Sequence, residues 1–449
     1  MSKIKHIFSR LRKSFWFPPA LIVAFSIGFA LVLIEVDSSG SQDWMAEWPR
    51  IFGANAAGSR DMLSAIAGSM MTVVGVTFSM TLVTLTLASS QYTSRILRNF
   101  MSDHATQIVL GIFAGIFTYC IIVLRTIRGG DDGGFVPGLA VAFSVVLAIG
   151  GIGTLIYFIH HIASSIQASS IIVSVTEETL ESVDKVFPRT ANPDEMAGGL
   201  NAFLLAIPEG NWHTVAARDN GYVQRMDDAA LMGLACEHKT IVRMERGIGE
   251  FVVRDTSLVS IALGHQPDKA LSSALAAAFS IDRYRTVEQD CAFGIRQLVD
   301  MALRALSPGV NDSTTAVMCV EHLTAILARV AGRASSPEVR YEDGELRLIT
   351  IRQTFADLVA SSFDEIRVSA EGNSAIMLCM LEALQTIAGF TSRPGRRRVL
   401  LEQAGFIGES AGRTIESPHD RGRVESRLAR TLEGMNANAL SPEEPGAGG

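Results

Sequence analysis

No aspartate, glutamate, lysine or arginine occurs between Met62 and Ser94, a run bounded by Arg60-Asp61 and Arg95. As a helix rising about 1.5 Å per residue it would be about 50 Å long, against roughly 30 Å of bilayer hydrocarbon. So long an uncharged run excludes a solvated surface helix. It predicts one that spans a membrane and continues into water. Cysteine is scarce, and Cys120, Cys236, Cys291, Cys319 and Cys379 lie far apart, with no C-x-x-C and no Cys/His pair at zinc spacing. That spacing speaks against a disulfide-built fold and predicts reduced structural thiols, with no metal and no cofactor. Positive charge is also short. With 39 Lys and Arg against 46 Asp and Glu, the net charge of -7 leaves no basic footprint for nucleic acid.

What is present divides the chain. Apolar residues concentrate before about residue 175, and the remainder reads as an ordinary water-soluble protein. The chain opens with Lys3, Lys5, Arg10, Arg12 and Lys13, and Trp16-Phe17-Pro18-Pro19 leads into an apolar segment to Ile34. No A-x-A site follows it, so a retained signal anchor is expected. Four spans are predicted, at about 17–34, 62–88, 107–124 and 135–159. A polar loop at 35–61 separates the first two, and an external turn at Gly129-Gly130-Asp131-Asp132-Gly133-Gly134 separates the last two. Lys and Arg number seven on the two expected inner segments and four on the outer loops, which places both termini in the cytoplasm. Gly111-x-x-x-Gly115 and Gly150-Gly151-x-Gly153 permit close helix approach, either within one bundle or between copies in a homo-oligomer.

The long run is rich in Ser, Thr and Met, which suits burial among helices. Its hydroxyls fall on two faces: Thr72, Ser79 and Thr86 every seven residues, and Thr77, Thr81 and Thr84 nearly opposite. Two readings follow. The hydroxyls bond to the carbonyl one turn back and ease packing, or they line a path for an ion or solute. None of the four spans holds an Asp, Glu, Lys or Arg in its apolar core, which argues against an ion-coupled carrier.

Beyond the fourth span, 166–210 reads as a stalk helix and linker, closed by Pro188 and a stretch from Thr190 to Glu209. Residues 211–265 read as a small β-rich module, with strands near 221–226, 240–244, 250–253 and 258–262 and a helix from Asp227. Its order faintly resembles lipoyl- and biotinyl-carrier barrels, but the carrier lysine is missing. Residues 266–435 read as helical, including 313–331, 348–366, 373–390 and 396–435, and 436–449 as a disordered tail. Arg393-Pro394-Gly395-Arg396-Arg397-Arg398 is a basic helix start, either touching anionic lipid or solvated between helices.

The densest segment is Arg283 to Ala316. Thr286 and Gln289 fit a capping box, and Arg296, Asp300 and Arg304 follow at spacings of four on one helix face. Ser307-Pro308-Gly309-Val310 suits a type II turn, and Asn311-Asp312-Ser313-Thr314 caps the next helix. Gln289-Asp290, Gly294-Ile295-Arg296-Gln297-Leu298-Val299-Asp300 and Arg304-Ala305-Leu306-Ser307-Pro308-Gly309-Val310-Asn311-Asp312 resemble the signature of a bacterial predicted inner-membrane family. That family is catalogued as domain of unknown function number twenty-two fifty-four. The resemblance covers nearly the whole chain and implies an architecture and a bacterial inner-membrane location, but no activity.

The expected fold is therefore a mainly α membrane protein: four transmembrane helices plus a cytoplasmic domain with a small β-rich module and a helical bundle. Two functions stay open. One is a channel-like protein using Thr72, Thr77, Ser79, Thr81, Thr84 and Thr86. The other is a non-conducting receptor binding an anion or partner through Gln289, Asp290, Arg296, Gln297, Asp300, Arg304, Ser307, Asn311 and Asp312. No nucleophile–base constellation supports an enzyme.

Overall fold

The computed structural model describes residues 16–39, 55–91 (side chains to 86), 104–128, 135–165, 167–188, 212–334 and 338–437. The basic start, Arg95 to Arg98, the glycine turn, the stretch 190–209 and the tail from 438 lie outside the described residues. The chain forms two compact units, 1–170 and 171–449. Among the described residues, five helices are long and apolar enough to cross a membrane.

The N-terminal unit holds four of the five: α1 (Phe17–Ser39), α2 (Ala56–Gln91), α3 (His104–Thr126) and α4 (Gly138–Ser165). α3 packs against the other three. A Cβ on Gly111 would lie 2.9 Å from Pro19 Cα, and one on Gly115 2.6 Å from Ser26 Oγ, so the G-x-x-x-G seats α1. Gly151 meets Ile116 and Met70, while Gly150 and Gly153 face open space. The centre is filled with large side chains. Phe29 lies 5.0 Å from Phe143 between ring centroids, Tyr119 packs beside both, and Leu63, Phe113 and Phe158 are fully buried.

α1 runs past the expected end at Ile34, to Ser39, for an electrostatic reason. The buried Asp37 carboxylate accepts from the Leu139 and Ala140 amides at 3.2 and 3.0 Å, capping the positive end of α4. Tyr119 donates to the Ala140 carbonyl at 2.8 Å. α2 starts at Ala56, six residues before the uncharged run, where the Asn55 side chain accepts from Gly58 at 2.7 Å.

In the C-terminal unit, α5 (Ala168–Val186) is a separate helix, since α4 ends at Ser165 rather than running on as a stalk. The strands are β1 (Trp212–Ala216), β2 (Gly221–Met226), β3 (Val242–Met244), β4 (Phe251–Val252), β5 (Ser257–Ala262) and β6 (Phe279–Asp282). β7 (Val339–Glu342) and β8 (Glu345–Ile349) follow later in the chain. They form a five-stranded sheet, β1-β5-β3-β8-β7, and a three-stranded one, β4-β2-β6. All pairs are antiparallel except β3–β8. Val215, Val242, Met244, Val259, Ile261 and Leu348 share one face and close a core with α6 (Asp228–Glu237) and α7 (Lys269–Ala277).

The hairpin β7–β8 falls in the stretch read as largely helical, mostly in the gap between the helices expected at 313–331 and 348–366. Its cause is local: Asp343 and Gly344 have φ of 52° and 75°, the backbone of a tight hairpin turn, and Leu346 and Leu348 alternate inward around Arg347. Helix α10 (Phe355–Ser369) consequently begins seven residues later than residue 348, at a Thr354–Asp357 capping box. The remaining helices are α8 (Cys291–Ala305), α9 (Ser313–Ala331), α11 (Ser374–Ala388), α12 (Pro394–Thr414) and α13 (Pro418–Ala437). α9 is the fifth apolar helix, and over half of its apolar window is buried.

Arg396 and Arg397 are not solvated. Arg396 donates to the Val330, Ala331 and Arg333 carbonyls at 2.7–3.0 Å, capping the negative end of α9, and lies over the Phe355 ring. Burial pushes its pKa down to about 10. Arg397 donates to the Thr391 and Met435 carbonyls. Arg398 alone of the three is exposed, beside Glu402.

Candidate functional site

The signature segment builds the start of α8. That helix begins at Cys291, with Asp290 as N-cap accepting from the Phe293 amide at 3.1 Å, and not at a Thr286 capping box. Gln289 has other work: its amide pairs with both backbone groups of Met226, at 3.0 and 3.3 Å, tying the end of β2 to α8. Asp290 also takes a two-pronged bond from Arg285, at 2.8 and 3.0 Å, and Arg285 lies over the Phe293 ring. Burial pushes the Asp290 carboxyl up, and Arg285 opposes that shift. Gly249, at φ +85°, closes over the pair. A Cβ there would overlap Asp290 Oδ2 and lie 2.7 Å from Arg285 Nη2.

One turn on, Gly294 makes a notch. A Cβ at that position would overlap Thr179 Oγ1 and lie 2.9 Å from both Thr179 Cβ and Cγ2, so α5 sits directly against α8. Two further ties hold α5. Thr176 Oγ1 bonds to the Ile172 carbonyl at 2.7 Å and to His322 Nδ1 at 2.9 Å. Burial holds the His322 pKa below its ordinary value. Asp184 pairs with Arg333 and, at 3.4 Å, with Arg329, while Arg333 also donates to the Phe187 carbonyl.

Arg296 bridges helices, pairing with Asp300 at 2.7 Å and with Glu365 of α10. Glu365, with Asp300, raises the Arg296 pKa further. Gln297 is buried, and its Oε1 finds no donor among the described residues. The turn after α8 is not type II, because its Gly309 is not left-handed; Asn311 is, at φ 50°. Val310 and Asn311 both donate to the Ser307 carbonyl, and Asp312 to Ala305 at 2.8 Å. Ser307 Oγ bonds to Arg304, and Asp312 caps α9 through the Thr315 amide and hydroxyl, which hold its carboxyl below the usual range.

The nine candidates thus scatter: the Arg285–Asp290 pair, the Gln289 tie to Met226, the Arg296 bridge, the buried Gln297 and the turn are separate local structures. They line neither of two shallow grooves among the described residues of this unit, of about 560 and 520 Å³. Sequence reasoning missed Arg285, Gly249, Thr179, His322 and Glu365. Only Gly249, in a Gly-x-Gly turn, carried a local signal.

On α2 the two hydroxyl faces separate. Thr77 and Thr84 are buried within the bundle, and Thr77 Oγ1 has no partner among the described residues. Thr81 is half-buried and donates to the Thr77 carbonyl. Thr72, Ser79 and Thr86 are exposed, with Thr72 and Thr86 bonded to carbonyls one turn back at 3.1 and 2.9 Å. Among the described residues no three His, Cys, Asp or Glu side chains could hold a metal ion.

Residues 12–386 match the family model described as Predicted membrane protein (DUF2254). The chain belongs to this family. It is similar to uncharacterized proteins of Mycobacterium tuberculosis and Mycobacterium bovis, each 31% identical over 442 residues, covering 96% of this chain and 83% of the relative. No solved structure matches. The DUF2254 match includes the Arg285–Asp290 pair, the Gly294 notch and the Asn311 turn, and ends inside α11.

Proposed function

We propose that this DUF2254 protein sits in the bacterial inner membrane as several copies, with α1–α4 as its spans and both termini cytoplasmic. In this reading it is channel-like, and the C-terminal unit regulates it. Orientation rests on the excess of Lys and Arg on the expected inner segments. The four-span count rests on α9, the least apolar of the five candidates, which has its place in the core of the C-terminal unit.

The observation that carries the reading is on α2. Gly68, Thr72, Gly75, Ser79 and Thr86 recur on one exposed face, and Gly68 and Gly75 have nothing near them. Lipid-facing surfaces favour larger apolar side chains, whereas small and hydroxyl residues favour helix interfaces and pores. The bundle's own centre is filled by Phe29, Phe113, Tyr119 and Phe143, so a path belongs between copies. Ion and small-solute flux into liposomes holding the purified protein, against empty liposomes, tests this. Flux altered by Ser79→Val is expected, and a folded preparation that stays silent under every gating condition counts against it.

A non-conducting membrane-anchored receptor is the second reading. Docking of α5 on α8 and α9 favours it, because α5 follows α4 directly in the chain. That reading expects a small anion to raise the melting temperature of wild type and of Ser79→Val alike, but not of Arg296→Ala.

A further inference from the structure

The 560 Å³ groove runs along α13 and faces α11. Leu378 of α11 forms one wall, and Pro418, His419, Gly422, Arg423, Ser426 and Arg430 of α13 form the other. His419, Arg423, Ser426 and Arg430 recur at four, three and four residues, one helix face, and no carboxylate lines the groove.

The four arginines of α13 divide by role. Arg421 is committed to the Ile415 carbonyl, and Arg427 pairs with Glu382. Arg423 and Arg430 face the groove. Arg423 meets a partly buried Asp420 at 3.6 Å, and Arg430 uses one N–H on the Ser426 carbonyl.

One feature of this face runs against helix stability. Gly422 sits inside the helix, where it costs about 1 kcal/mol relative to alanine. A Cβ at Gly422 would meet nothing within 4 Å, so the glycine relieves no packing clash; it keeps the groove open. Room for a bound anion explains that cost.

We propose that this groove binds a phosphate-bearing small molecule, with the long side chains of Arg423 and Arg430, two turns apart on the helix, converging on its phosphate oxygens. The inference stands on the C-terminal unit alone and holds whether or not the spans conduct. The phosphate could belong to a soluble metabolite or to a lipid headgroup, and the test separates them. The full chain in detergent is titrated calorimetrically with inorganic pyrophosphate, and separately with short-chain phosphatidic acid. Binding of either probe is expected, weakened about tenfold or more by Arg423→Gln and by Arg430→Gln and unchanged by Arg398→Gln. Gly422→Val should weaken it without lowering the melting temperature. Pyrophosphate binding assigns a soluble ligand, and phosphatidic acid binding alone assigns a headgroup. Failure of both probes to bind at millimolar concentration, or binding equal in the variants, overturns the site.

Discussion

Gly294→Ala puts the tie between α5 and α8 to a test whose sign decides the outcome. In a helix interior with free space, replacing glycine by alanine stabilises by about 1 kcal/mol. Here the new Cβ would overlap Thr179 Oγ1 and come within 2.9 Å of two further Thr179 atoms, one of them the Cβ fixed to the α5 backbone. Overpacking costs about 1–3 kcal/mol and an overlap this close belongs at the upper end, so the net change is a destabilisation of about 2 kcal/mol. Thr179→Ala removes two of the three clashing atoms. Combined with Gly294→Ala it should cost clearly less than the two single changes added, with a coupling of about 1 kcal/mol. Urea unfolding of the detergent-solubilised protein reads both quantities. Trp212, the one tryptophan after residue 170, reports on the C-terminal unit. A Gly294→Ala variant more stable than wild type, or strict additivity with Thr179→Ala, would refute the docking of α5 in this notch.

Asp290→Ala leaves a partly buried Arg285 without its carboxylate and removes an N-cap, so about 3 kcal/mol of stability should be lost in the same unfolding assay. Arg396→Met uncovers three carbonyls at the end of α9 and should cost about 2–4 kcal/mol, whereas Arg398→Ala should fall within about 0.5 kcal/mol of wild type by thermal melting. Asp312 is held below its ordinary pKa by Thr315, so its cap contributes fully above the usual carboxylate range. That contribution disappears as pH falls through the lowered folded value. Melting temperatures of wild type and Asp312→Asn should therefore differ at neutral pH and converge in acid.

The elements most legible in the sequence were those with local causes. Uncharged length predicted α2, alternation and turn residues located β2, β3 and β5, and the Asp312 cap followed from its neighbours. Misreadings arose where a distant partner or an overlooked turn decided. Asp37 extends α1 because α4 offers it two amides, and Arg396 and Arg397 leave solvent because helix ends offer carbonyls. Thr286 and Gln289 have capping-box spacing, but Gln289 finds the backbone of Met226 instead. Asp343-Gly344 was a readable hairpin signal, left unassigned between two expected helices. The two hydroxyl faces of α2 were visible as a pattern, yet only packing separates the buried Thr77 and Thr84 from the exposed Thr72, Ser79 and Thr86.

That separation sets the most direct measurement. Cysteines placed singly at Thr72, Ser79 and Thr86, and at Thr77 and Thr84, are exposed to a water-soluble, membrane-impermeant thiol reagent while flux is recorded from proteoliposomes. The proposed path between copies predicts that modification at 72, 79 and 86 changes flux and that positions 77 and 84 are unreactive. Reaction at 77 and 84, or unchanged flux with 72, 79 and 86 fully modified, would contradict it.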